Sequence, residues 1–256
     1  MRKLILAAAS GAAILLAGAG LAAAAGASIP AYVDTAVADA ARPDADRQRD
    51  PERKPAEVLA FAGVKPGMKV GELIPGGGYY TRLLSDVVGP SGHVYGLWPE
   101  GMAKGAPQML DGLTKIAPNV SNVAFGADGP KAPEKLDLVW TSENYHDLHN
   151  PPRGAPAGTP QPDVTPFNRA VFDALKPGGV YLIEDHAAAA GAGPEVTFKM
   201  HRIEAAQVKS EVEAVGFKLV GSSDVLKNPD DPHAKMVFDP SIRGHTDKLL
   251  LKFKKP

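Results

Sequence analysis

Between residues 68 and 253 short apolar runs alternate with stretches in which apolar residues recur every three or four positions. Residues 68–73, 93–97, 120–125, 136–141 and 180–183 are each the length of a strand. The run 136–141 is almost continuously apolar, as a strand covered on both faces must be. Tyr80, Leu83, Leu84, Val87 and Val88 fall at i, i+3, i+4, i+7 and i+8, one face of a helix that Gly89-Pro90 ends. Weaker stripes follow at Met109, Leu110, Leu113 and Ala117, and at Phe167, Ala170, Val171, Ala174 and Leu175, the latter helix capped by Thr165-Pro166. A long helix is predicted over 196–215, with Ala205, Val208, Val212 and Val215 on one side and His201 in register as a packed histidine. Residues 217–221 and 248–253 then read as strands joined by a polar segment and no helix. The pattern predicts an α/β, Rossmann-like doubly wound fold with a mostly parallel seven-stranded sheet and an antiparallel C-terminal strand.

Upstream of this domain (55–256), residues 28–54 are polar and rich in Ala, Asp and Arg. They read as an N-terminal arm with a short helix near 33–40. Pro55 sits where a first-turn proline belongs, opening a helix that Gly63 stops. Residues 1–27 carry Arg2 and Lys3, then an apolar stretch ending in Ala25-Gly26-Ala27, the small-x-small pattern of a cleaved signal peptide. The stretch is about as long as a bilayer is thick, so an uncleaved anchor is the alternative. Its Ala and Gly content makes it weakly hydrophobic and favours cleavage, which places the mature chain in the periplasm or outside the cell. Six prolines between Asn150 and Pro166 exclude helix and central strand and predict a long loop, either a substrate lid or a solvated spacer.

Composition narrows the chemistry. With 44% hydrophobic residues the chain is not mainly disordered, and a formal charge of -1 supplies no field for nucleic acid or anionic lipid. No nucleic-acid partner is expected, nor a stable membrane partner once the leader is removed. Cysteine is absent, which excludes disulfides, thiolate ligands and a Cys nucleophile.

The sharpest local signal is Val70-Gly71-Glu72-Leu73-Ile74-Pro75-Gly76-Gly77-Gly78-Tyr79-Tyr80, between the first core strand and the cleanest helix. Glycines at such a turn let backbone approach a ligand, and the helix start offers unpaired N–H groups. The loop lacks both the G-x-G-x-x-G dinucleotide pattern and the Gly-Lys-Ser/Thr of a phosphate loop. An acidic residue followed by this glycine run resembles the first motif of class I S-adenosylmethionine-dependent methyltransferases. Further likenesses are Gly92-His93-Val94-Tyr95-Gly96 to their second strand and Gly126-Ala127-Asp128 to their adenine-side turn. Leu136-Asp137-Leu138-Val139-Trp140 resembles their fourth strand, Leu175-Lys176-Pro177-Gly178-Gly179 the turn into the fifth, and Glu213-Ala214-Val215-Gly216-Phe217 the last helix-to-strand joint. Pro75–Thr81, Asn144-Tyr145-His146-Asp147 and Arg243-Gly244-His245-Thr246-Asp247 look like a group of exported predicted methyltransferases.

The resemblance implies S-adenosyl-L-methionine as cofactor, a small-molecule acceptor, and cofactor contacts from Glu72, Pro75, Gly76, Gly77, Gly78, Tyr79, Trp98, Glu100 and Asp128. Two positions depart from the family. Ile74-Pro75 replaces the first loop glycine, and Trp98 stands where a carboxylate usually meets the ribose, leaving Glu100 to substitute or Trp98 to stack on adenine. The polar runs 142–147 and 184–186 follow the fourth and fifth strands and open on the same cleft. His146 is the candidate base, oriented by Asp147 or Asp185, with Tyr145 beside it. This reading needs no metal. A second reading is a metal-dependent hydrolase with His146, Asp147, His149, Asp185 and His186 as N/O ligands, and a third is a non-catalytic binding protein that keeps the fold.

Overall fold

A computed structural model describes residues 28–151, 154–156 and 159–256. The expected signal peptide (residues 1–27) with its expected cleavage site and four residues of the proline-rich loop lie outside the described residues. Seven strands form one sheet: β1 (Lys69–Leu73), β2 (His93–Pro99), β3 (Val120–Phe125), β4 (Leu136–Ser142), β5 (Leu175–His186), β6 (Lys218–Ser222) and β7 (Lys248–Lys254). Their order is β3-β2-β1-β4-β5-β7-β6. All neighbouring pairs are parallel except those of β7, which is inserted antiparallel between β5 and β6. The predicted sheet and its reversed ending are therefore both present. The polar segment before β7 makes the reversal necessary, because a parallel neighbour would need a crossover of the kind helices supply.

The helices are α1 (Ala31–Ala38), α2 (Asp44–Arg47), α3 (Asp50–Arg53), α4 (Pro55–Ala62), α5 (Tyr79–Val88), α6 (Glu100–Gly105), α7 (Pro107–Thr114), α8 (Thr165–Ala174), α9 (Val196–Met200) and α10 (Ala205–Ala214). On one face of the sheet α1, α4 and α5 bury Val33, Leu59, Leu83 and Leu84 against Val70, Val94, Leu138 and Trp140. On the other, α8 and α10 bury Val171, Val208 and Val212 against Leu97, Val139, Tyr181 and Phe217. The strand order reverses between β1 and β4, so the chain leaves their carboxyl ends in opposite directions and opens a crevice there.

Several elements differ from the sequence pattern for identifiable reasons. The helix expected over 196–215 is broken at His201, whose φ is 53°. The break lets Ile203 bridge to Ala187 and lets Arg202, 0% exposed, reach Asp231 at 2.8 Å. A continuous helix would bury that guanidinium without its carboxylate. The stripe near Met109 belongs to α7, preceded by the separate α6; only Leu113 of the two is buried. Thr165 is the first helical residue and not the cap, and the Asp163 carboxylate accepts its N–H at 2.9 Å. The arm, finally, is three helices packed on the domain, with Val33 and Ala36 inside the core.

Gly92 turns the chain from α5 into β2. A Cβ there would lie 2.7 Å from the Met68 carbonyl oxygen and closer still to Val88 Cβ, neither of which can move independently of the backbone. Gly92→Ala is expected to cost about 1–3 kcal/mol, measured as a lower urea midpoint at unchanged m.

Candidate functional site

The crevice is built from two strained strand ends. After β1, Ile74 takes φ 50°, and after β4, Glu143 takes φ 58°. A β-branched residue in this region is an outlier that surrounding structure must hold in place. Asn144 supplies part of that hold, donating its amide to the carbonyl oxygens of Ser142 (2.7 Å), Leu73 (3.3 Å) and Ile74 (3.4 Å). Pro75 to Gly78 closes a turn, Gly78 N–H donating to Pro75 O at 3.1 Å, and α5 begins at Tyr79. The three glycines divide by what surrounds them. A Cβ on Gly78 would strike Leu113 and Ile116, whereas one on Gly76 or Gly77 would meet nothing within 4 Å. Gly78 is needed for packing; Gly76 and Gly77 border open space.

That space is a hollow of about 200 Å³ lined by Glu72, Pro75, Gly76, Gly77, Tyr79, Tyr80 and Glu143, with Arg49 and Arg53 entering from the arm. Tyr79 anchors the arm, its hydroxyl donating to Asp50 at 2.7 Å while the guanidinium groups of Arg42, Arg49 and Arg53 surround its ring at 4.9–5.6 Å. Arg53 pairs with Glu143 at 2.8 Å, and Lys248 of β7 reaches the same carboxylate at 3.1 Å. Burial would raise the Glu143 carboxyl, but these two cations overcome it and hold the group well below the usual range. Glu184, fully buried next to it, moves upward because burial and the Glu143 charge outweigh Lys248 and Arg53. Arg49 also lines the hollow but makes no ion pair among the described residues.

Glu72 ends β1 beneath the glycine turn, 3% exposed, accepting the Thr81 hydroxyl at 2.6 Å. Burial pushes its carboxyl up to about 8, against the opposing effects of Thr81, Arg82 and Arg53.

The second constellation follows β4 and β5. A short 3-10 turn, His146–His149, places His146 over the end of β5. Its Nδ1 lies 2.7 Å from Asp185 Oδ1, and its backbone N–H donates to Asp185 Oδ2 at 2.8 Å. Asp185 stays low because His146 and His186 outweigh its burial; His146 rises because the same carboxylate outweighs its own. His146 Nε2 faces His201 Nδ1 at 3.1 Å and Asp147 Oδ1 at 3.3 Å.

The expected residues are thus distributed unevenly. Glu72, Pro75, Gly76, Gly77 and Tyr79 share the hollow; His146, Asp147 and Asp185 come together beside it. Tyr145 is turned into the core, accepting from Asn168 and donating to Glu211. Trp98 is 2% exposed and donates its indole N–H to Asn122 at 2.9 Å. Glu100 and Asp128 face solvent, paired with Lys104 and Lys131. The five-residue metal set does not converge: His149 bonds Glu211, and His186 bonds Thr246. Arg49, Arg53, Lys248 and His201 were not singled out as site residues from the sequence, since each reaches the crevice by a long-range fold contact that spacing does not encode.

No protein-family model and no curated protein matches the chain. Solved structures do. An S-adenosylmethionine-dependent methyltransferase from Aquifex aeolicus aligns with a TM-score of 0.55 at 21% identity, over 82% of this chain and 96% of its own. The fold is that of the class I methyltransferases. A cyclase, SpnF, aligns at 0.53 and 17% identity, over 83% of this chain and 81% of its own. A possible exported protein from Bordetella parapertussis aligns at 0.50 and 17% identity, over 82% of this chain and 67% of its own. Among the described residues no helix is long and apolar enough to cross a membrane.

The Glu72 shift has a stability consequence with a definite sign. Between an ordinary carboxyl value of 4.5 and about 8 the folded chain holds a proton that the unfolded chain has lost. The stabilisation is complete below that window and disappears as pH rises through it, by up to about 1.4 kcal/mol per unit. Glu72→Gln keeps an acceptor for Thr81 and does not titrate. Urea unfolding of both proteins from pH 5 to 8 is expected to show the variant gaining on the wild type as pH rises.

Proposed function

We propose that this chain is an exported methyltransferase that uses S-adenosyl-L-methionine and acts on a small-molecule acceptor. The observation that carries the reading is the hollow beneath Gly76 and Gly77, which sets a buried carboxyl (Glu72) and a guanidinium with no ion pair among the described residues (Arg49) around open backbone. An α-amino acid brings a carboxylate for Arg49 and an ammonium beside which the Glu72 carboxyl can ionise, so these residues fit the amino-acid end of the cofactor. The volume, about 200 Å³, suits that end and leaves the nucleoside to the rim. Trp98 is committed to Asn122, so Glu100, beside Gly126, is the carboxylate left to meet ribose hydroxyls. Asp128 faces solvent in its pair with Lys131 and has no part in this proposal.

When bound, the cofactor supplies an electrophilic methyl group on a sulfonium; the protein's contribution is chiefly alignment. The acceptor approaches from the His146 side of the same crevice. An acceptor that must lose a proton meets His146, whose Nδ1 is tied to Asp185 and whose Nε2 must exchange its His201 partner for the acceptor. SpnF shares this fold and is a cyclase, so the residues around the hollow, and not the fold, carry the functional argument. Export follows the sequence pattern of residues 1–27 and is supported by the Bordetella likeness.

Gly77 allows a clean test, because its φ is not in the left-handed region and an added Cβ meets nothing within 4 Å. Gly77→Val should leave the melting temperature unchanged and abolish calorimetric binding of S-adenosylmethionine and S-adenosylhomocysteine. Arg49→Met should weaken that binding at least about tenfold. No heat with the wild-type chain at millimolar ligand, or full binding by Gly77→Val, would overturn the proposal.

A further inference from the structure

Three ligand atoms converge at the edge of the crevice in a way that methyl transfer does not require. His146 Nε2, His201 Nδ1 and Asp147 Oδ1 form a triangle with sides of 3.1, 3.3 and 3.7 Å. With metal–ligand bonds of 2.0–2.1 Å, two ligands of a tetrahedral ion stand about 3.3 Å apart. We propose that these three atoms bind a single divalent transition ion of the zinc class, with one coordination position left open to solvent.

The surroundings hold each donor in place. Asp185, 0% exposed, accepts from His146 Nδ1 and from its backbone N–H, which directs the Nε2 lone pair outward. A buried carboxylate behind a histidine is the usual outer support of a metal-bound imidazole. Asn150 donates to Asp147 Oδ1 at 2.7 Å and orients that carboxylate. His201 is delivered by the left-handed residue between α9 and α10. Without an ion one proton bridges His146 Nε2 and His201 Nδ1. Ion binding removes it from between them, to His201 Nε2 where His146 is neutral and to solvent where it is an imidazolium, and leaves both facing lone pairs to the metal.

The side chain of His146 is 3% exposed, but those of Asp147 and His201 are 36% and 27% exposed, so an ion has both an entry path and an open position. Phe238 packs on His201 with ring centroids 4.9 Å apart, and it also lines a cavity of about 500 Å³ that shares Arg49, Arg53 and Glu143 with the glycine hollow. Phe238 thus connects His201 to that cavity. The site stands whether or not methyl transfer is the chemistry. Because the ion takes the lone pair that would accept a proton, metal loading and general-base action by His146 exclude each other.

The test is zinc titration of the chelator-stripped full chain by calorimetry, repeated with cobalt to read tetrahedral coordination from its visible absorption. The wild type should bind one equivalent. His201→Ala and Asp147→Ala should lose it. Asp185→Asn should bind about 10- to 100-fold more weakly, and His149→Ala, which alters a histidine committed to Glu211, should bind normally. Circular dichroism confirms that each variant is folded. Absence of stoichiometric uptake by the wild type, or uptake indifferent to both His201→Ala and Asp147→Ala, would overturn the proposal.

Discussion

Glu143 is the point on which the crevice depends. Its carboxylate receives Arg53 from the arm and Lys248 from β7, while its own backbone is strained at φ 58° at the end of β4. Three segments far apart in sequence are thereby fixed around one charge. A buried ion pair of this kind is poor evidence of net stability, since desolvation costs about as much as the attraction returns. Its effect is positional. With Arg53 fixed and Tyr79 held by Asp50, the arm brings the Arg49 guanidinium to the wall of the glycine hollow.

The parts of the fold that depend on near neighbours were legible in the sequence. The strand Val120–Phe125 and the helix face from Tyr80 to Val88 are set by local periodicity, and the structure reproduces them with ends shifted by at most a residue. The reversed β7 was legible for a topological reason, the lack of a helix before it. The arm's first helix was legible, near 33–40, but its docking on the domain was not, because Arg42–Asp50, Arg82–Asp46 and Arg53–Glu143 are charge pairs that composition presents as a solvated polar stretch. The break at His201 was hidden by an apolar register that continues across it, while Arg202 required a buried carboxylate 29 residues away. At the site, the glycine turn and Glu72 were readable; the packing of Trp98 against Asn122 and the inward turn of Tyr145 were not.

Likeness to methyltransferases and to a cyclase at 17–21% identity settles architecture and leaves chemistry to the side chains. Here the side chains divide the labour sharply. Around the glycine turn lie open backbone at Gly76 and Gly77, a carboxyl raised by burial, and a guanidinium with no ion pair among the described residues, the parts that the proposed binding reading uses. Around His146 stand a buried carboxylate behind the ring and a second imidazole in front, the parts that the proposed proton-accepting or metal-binding roles use.

What joins these two halves is Asn144. Its amide bridges the ends of β4 and β1 through the carbonyl oxygens of Ser142, Leu73 and Ile74, and His146 begins its short turn only two residues later. The strained exit from β1 and the imidazole over the end of β5 are therefore linked through a few residues of backbone. The sheet reversal that creates the crevice thus also fixes how far the binding half can stand from the reactive half.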